Sequence, residues 1–121
     1  MPRLDHVHIH AVDGPRMVAF LEAVLEAREG FRPPFEFPGH WVYVDGVPAI
    51  HISLAEEELP RGVINHAAFG IYDFEATRQR IEAAGHNYRI TGIPGTKIGQ
   101  FFVDGPDGLL LEVQFHREIP A

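Results

Sequence analysis

Three histidines stand at alternate positions in LDHVHIHAVD, residues 4–13, in a chain with eight histidines and no cysteine. Imidazole nitrogens bind borderline divalent ions, accept protons near neutrality, or simply decorate a solvated strand. Without cysteine there is no disulfide framework, no zinc–thiolate centre and no thiol nucleophile, so any metal must be held by His, Asp or Glu. Alternation with a period of two places His6, His8 and His10 on one face of a strand and Val7, Ile9 and Ala11 on the other. Whether that row is a ligand set depends on what the rest of the chain brings to meet it.

Composition narrows the partners. A chain of 121 residues is expected to form a single domain, 1–121, with a sizeable core. Ten Lys and Arg against 17 Asp and Glu give a net charge of −7 with no basic cluster, which argues against nucleic acid and anionic membrane as partners. No apolar run approaches the ~20 residues of a membrane span, and Met1-Pro2-Arg3 does not open a signal peptide, so a cytoplasmic protein acting on a small molecule is expected.

The elements that would position the histidines are written twice. After the first strand, Asp13-Gly14-Pro15 reads as a turn and helix start. Met17, Phe20, Leu21, Val24 and Leu25 follow at helical spacing, with Gly30 as the expected stop. FRPPFEFPG reads as an edge strand or a loop over the site, and HWVYVDG with PAIHISLA as a hairpin turning at Gly46. The order then repeats. VINHAAFGIYD is a strand from Val63, FEATRQRIEAAG a helix capped by Asp73 and ended by Gly85, HNYRIT a short strand, TGIPGTKIG a loop, and QFFVDGPDGLLLEVQF a hairpin turning at Pro106-Asp107-Gly108. The pattern is α+β: two βαβββ modules in tandem, approximately 1–57 and 62–119, each an incomplete barrel with its helix on the convex face.

DHVHIHAVD (5–13) lies over NHAAFGIYD (65–73), which pairs His6 with His66 and Asp13 with Asp73. Val44-Asp45-Gly46 matches Val103-Asp104-Gly105. With a turn two residues longer in the second copy, His51 and Glu112 become equivalent. His6, His51, His66 and Glu112 are all out of phase with their apolar neighbours, so all four face away from the helix-packed side. Three imidazoles and a carboxylate suit Zn, Ni, Co, Mn or Fe(II), and an octahedral ion would keep two positions open. By the same parity Trp41, Tyr43, Gln100 and Phe102 line the pocket, with Trp41 equivalent to Gln100 and Tyr43 to Phe102. His8 and His10 share the face of His6 but have Ala68 and Gly70 as counterparts, so they read as pocket-wall residues. His40, His86 and His116 read as strand-end polar residues.

The paired modules, NHAAFGIYDFEATRQRIEAAGH, FFVDGPDGLLLEVQF and the His6/His51/His66/Glu112 pattern resemble the vicinal oxygen chelate superfamily of glyoxalases, bleomycin-resistance proteins and extradiol dioxygenases. The resemblance covers nearly the whole chain. It implies that His6, His66 and Glu112 match three metal-ligand positions and that His51 falls where glyoxalases place a fourth. His10 and Ala55 stand where glyoxalase I carries its glutathione-binding Arg and Asn. Phe102 stands where fosfomycin-resistance enzymes and extradiol dioxygenases carry a Tyr.

Two open positions on one ion suit a substrate with two neighbouring oxygens, and charge developing on an enolate-like intermediate would be stabilised by the ion as a Lewis acid. An isomerase, epimerase or lyase is expected, and the resemblance to glyoxalases and epimerases implies Glu112 as the base, with His51 or His8 as the alternative. A second possibility is an Fe(II) extradiol-type dioxygenase using His6, His66 and Glu112, with His51 as acid/base. A third is a non-catalytic resistance protein that binds a small aromatic compound. Open half-barrels should close on a second copy, so a homodimer is expected.

Overall fold

The computed structural model describes residues 4–57 and 66–118. The chain divides into two compact units, Met1–Leu59 and Pro60–Ala121. In the first, β1 (Val7–Ala11), α1 (Gly14–Leu25), β2 (Arg28–Gly30), β3 (Gly39–Val44) and β4 (Val47–Leu54) follow in order. The second repeats this with β5 (Ala67–Tyr72), α2 (Phe74–Ala83), β6 (Tyr88–Gly92), β7 (Ile98–Asp104) and β8 (Leu110–His116). Each unit holds a four-stranded sheet, ordered β1-β4-β3-β2 and β5-β8-β7-β6, in which the first and last strands pair in parallel. This is the α+β pair of βαβββ modules read from the repeat. The beginning of the strand expected from Val63, through Asn65, lies outside the described residues.

The repeat extends to the helix caps. Asp13 Oδ1 accepts from the Arg16 amide at 3.1 Å and Asp73 Oδ2 from the Ala76 amide at 2.9 Å. Each thereby satisfies a backbone donor that the first helical turn leaves without a partner. Gly85, at φ 77°, ends α2 as expected. Gly30 does not end α1. That helix stops at Leu25, Glu26 takes the left-handed cap at φ 56°, and Gly30 lies in edge strand β2. A side chain at Gly30 would strike Tyr43, since its Cβ would lie 2.8 Å from the ring. This glycine therefore serves cross-strand packing rather than helix termination. FRPPFEFPG is a loop for most of its length, and β2 precedes it.

In the first unit α1 lies across β2, β3 and β4 and buries Met17, Phe20, Leu21, Val24 and Leu25 against Val42, Ile50 and Ile52. The second unit has a smaller helix face, Thr77 and Ile81, and makes up the volume with rings. Phe74, Phe101 and Phe115 meet at centroid distances of 4.8–5.3 Å. Gly99 makes room for this cluster, because a Cβ there would lie 2.4 Å from the Phe115 ring.

The hairpins differ at their turns. Asp45 and Gly46 both have positive φ, 51° and 77°, as a two-residue turn between twisted strands requires. Their sequence counterparts Asp104-Gly105 are not the turn, for Gly105 is extended, and Asp107 (φ 58°) and Gly108 (φ 76°) adopt the left-handed pair instead. Gly99→Ala is expected to destabilise the protein by about 1–3 kcal/mol through overpacking, and Asp73→Ala by about 1 kcal/mol through loss of the cap. Urea denaturation midpoints check both, and an unchanged midpoint for Gly99→Ala would contradict the ring packing described.

Candidate functional site

Register decides which side chains share a face. In the first unit His51 lies opposite Trp41 across the β3–β4 ladder and beside His8 on β1. In the second, Glu112 lies opposite Phe102 and beside Ala68. His51 and Glu112 are therefore equivalent, as the repeat indicated. Trp41, however, is the counterpart of Phe102 rather than of Gln100, and Gln100, opposite Gln114, corresponds to Gly39, opposite Ser53. The pairing of Trp41 with Gln100 and Tyr43 with Phe102 is corrected accordingly. Its cause is the turn. The second hairpin closes earlier, at Asp104 opposite Leu110. The first makes up the length of that longer turn with a further step of ladder and a register shift between Val42 and Val44.

The first unit builds an aromatic stack. The His6 and His51 rings lie 3.9 Å apart and 14° from parallel, and Trp41 covers the other side of His51 at 4.0 Å and 8°. Hydrogen bonds set both tautomers. Pro48 O can only accept, so His51 Nε2 donates to it at 3.0 Å, and His6 Nδ1 donates to the Asp5 carboxylate at 2.8 Å. That leaves His51 Nδ1 and His6 Nε2 as the nitrogens these acceptors do not engage, the arrangement that an outer acceptor imposes on metal-binding imidazoles. Burial, followed by the neighbouring His6, holds His51 below the ordinary histidine value; burial, then His10 and His6, does the same to His8. Ser53 Oγ joins His8 Nε2 at 2.8 Å and His10 Nδ1 at 3.1 Å, which makes these two histidines a wall rather than part of the stack. The Tyr43 hydroxyl is committed to Phe31 O at 2.7 Å. A cleft of about 130 Å³ opens beside the stack, where Arg32, Phe35 and Phe37 of the loop after β2 face Trp41 and His51. His8 and Ile52 complete it.

The second unit builds a polar network. Glu112 is 4% exposed, the one buried carboxylate among the described residues. His66 Nε2 lies 3.1 Å from its Oε1, Gln114 Nε2 donates to its Oε2 at 2.9 Å, and Gln100 also bonds to it. Thr91 donates to Gln100 Oε1 at 2.8 Å, which turns the Gln100 amide group toward the carboxylate. Burial alone would raise the Glu112 carboxyl; the bonds from Gln114, Gln100 and His66 outweigh it and hold the group below its ordinary value. Phe102 stands edge-on to His66 at 5.5 Å and carries Arg89 over its ring at 4.9 Å.

The structure thus brings His6 together with His51, and His66 together with Glu112, each pair within its own unit. Within either unit, no three His, Asp or Glu residues among those described are close enough to hold an ion. Gln114 and Ser53 were missed from sequence, although their parity places them on the faces of Glu112 and His51. Arg32, Phe35 and Phe37 carried no periodic signal at all, since a loop has none.

The match to known proteins agrees with this architecture. Residues 3–113 match the model of the Glyoxalase/Bleomycin resistance protein/Dioxygenase superfamily, and the chain belongs to that family. Among solved structures it is similar to the fosfomycin resistance protein FosX from Listeria monocytogenes, with 20% identity, a TM-score of 0.76, and 95% of this chain and 93% of that one covered. It is likewise similar to a glyoxalase family protein from Bacillus anthracis, with 20% identity, a TM-score of 0.79 and 97% of both chains covered. A mutant of the Listeria FosX in complex with Mn(II) and 1S,2S-dihydroxypropylphosphonic acid matches at 21% identity and a TM-score of 0.73, covering 98% of this chain and 94% of that one. No curated protein matches the chain. No helix among the described residues is long and apolar enough to cross a membrane.

The Glu112 network makes a quantitative expectation. Gln114→Leu removes a hydrogen bond to a buried charge and should cost about 1.5–3 kcal/mol. In a Glu112→Gln background the same change should cost much less. A double-mutant cycle from denaturation curves checks this, and equal costs in both backgrounds would mean that Gln114 does not serve the carboxylate.

Proposed function

We propose that this chain is a divalent-metal-dependent enzyme of the isomerase, epimerase or lyase type, acting on a small substrate with two neighbouring oxygens. The observation that carries the reading is a pre-arranged pair of donors within each module. His6 and His51 have their tautomers set by outer acceptors, and Glu112 is kept ionised in a buried position by His66, Gln100 and Gln114. Burying a carboxylate is costly and would favour its neutral form, so a network that keeps it charged suits a group meant to meet a cation. These donors fit a borderline divalent ion, and the ligands proposed are His6, His51, His66 and Glu112, one pair from each module. Such an ion would supply Lewis acidity to the paired oxygens of a substrate. The superfamily membership and the Mn(II) complex of a FosX protein support a divalent metal in general.

The chain's own groups carry the rest. Glu112, ionised and hydrogen-bonded, can accept a proton from a carbon beside a carbonyl. The amides of Gln100 and Gln114 hold its oxygens in place meanwhile. His51, neutral and sandwiched between two rings, offers Nδ1 as a second proton acceptor whose position does not drift. Trp41 and Phe102 form the apolar ground beside the two halves of the donor set, and His8 and His10 form its polar edge.

The sandwiching of His51 also favours a second reading. A ring pinned by His6, Trp41 and Pro48 O suits a fixed acid/base that leaves His6, His66 and Glu112 as an Fe(II) triad for ring cleavage with dioxygen. Metal analysis separates the two. Protein purified without added metal is expected to contain about one Zn, Ni, Co or Mn per chain. Glu112→Ala and His66→Ala should lose it, while His86→Ala retains it. Equal metal content in all the variants would sink the ligand assignment, and Fe(II) with oxygen-dependent turnover would select ring cleavage. A homodimer is proposed with it, for light scattering to test.

A further inference from the structure

We propose that the cleft of the first module is a binding slot for a small planar aromatic carboxylate, which names the substrate class of the function proposed above and rests on it for its catalytic meaning. Size is the first argument. A cleft of about 130 Å³ approaches the roughly 150 Å³ cavity that accepts one benzene molecule. It therefore suits one ring rather than a peptide or a thiol conjugate.

The walls give the second. Phe35, Phe37 and Trp41 present rings to this space, with Phe35 and Phe37 stacked at 5.3 Å and Phe35 tilted toward Trp41 at 6.2 Å. Phe35 and Phe37 stay 46% and 50% exposed, so the loop holds apolar rings at the mouth of the cleft instead of burying them. Such rings favour a flat aromatic guest over a saturated one through stacked and edge-on contacts.

Charge gives the third. Arg32 lines the same cleft, with its guanidinium carbon 4.9 Å from each of the Phe35 and Phe37 ring centres. Its Nη2 donates to Phe37 O at 2.9 Å, and no carboxylate among the described residues pairs with it. A guanidinium has five in-plane donors, so most remain for a guest. In a chain of net charge −7, an arginine in a cleft without an acidic partner is a recognition group for an anion. The planar fork of a guanidinium matches a carboxylate in two parallel bonds. Pro33, Pro34 and Pro38 stiffen the loop, so little ordering remains to be done on binding.

The probe is benzoate, titrated into the full-length protein by calorimetry and by emission of Trp41, the only tryptophan in the chain. Benzamide is the isostere without charge and cyclohexanecarboxylate the acid without a flat ring. Benzoate is expected to bind about tenfold or more tighter than benzamide, as a charge-assisted bond implies, and tighter than cyclohexanecarboxylate. Arg32→Gln should erase the preference over benzamide, and Arg32→Lys should restore part of it. No binding of benzoate, or binding of either control within about twofold of benzoate, overturns the slot, and the two controls decide this in the wild-type protein even if Arg32→Gln does not fold. The metal reading fails separately. Preference for benzoate in a protein whose metal content ignores Glu112→Ala and His66→Ala would leave the slot standing and remove the metal site, and the converse result would do the reverse.

Discussion

A carboxylate taken out of water must be met by donors or neutralised, and Glu112 is met by three. Much of the second module can be read as what that requires. Glu112 stands on β8, between the strands that carry the other groups. β5 follows directly on His66 on one side, and β7 brings Gln100 on the other. Parallel pairing of the module's first and last strands is what lets a residue from the start of the chain segment meet one from its end. The helix then has only to cover the opposite face, which Phe74, Thr77 and Ile81 do together with the rings of Phe101 and Phe115.

The two modules share a backbone plan and differ in chemistry at equivalent places. Where the second has a carboxylate bracketed by amides, the first has an imidazole bracketed by rings. Each solution immobilises its central residue, one by hydrogen bonds to charge and the other by stacking. The repeat therefore presents different central groups on one backbone plan, an imidazole at His51 and a carboxylate at Glu112.

Much of this was legible in the chain itself. Period-two alternation put His6, His51, His66 and Glu112 on the faces where they lie, and the duplicated aspartates announced both helix starts, because strand parity and capping are local effects. Errors arose where distant contacts override local signals. Gly30 looked like a helix stop because glycine commonly is one, yet the Tyr43 ring across the ladder is its reason for being small. Laying Val44-Asp45-Gly46 over Val103-Asp104-Gly105 sets Trp41 against Gln100, but the first tripeptide carries its hairpin's turn while the second precedes the turn at Pro106-Asp107-Gly108. The loop from 31 to 38 has no period to read, and its arginine and phenylalanines declare their use only once folded around one another.

That misalignment conceals a regularity in the hairpins. Trp41 and His51 are ten residues apart and face each other, and so do Phe102 and Glu112, although one hairpin turns in two residues and the other through a short helical turn, Pro106–Gly108. The separation between partners has been kept while the path between them has not. A lineage that began with two copies of one module could therefore remodel each tip freely, trading a bulge for a longer bend. A change in the total by a single residue would have turned His51 or Glu112 to the wrong side of its sheet. The tips are where this architecture can drift, and the count between partners is where it cannot.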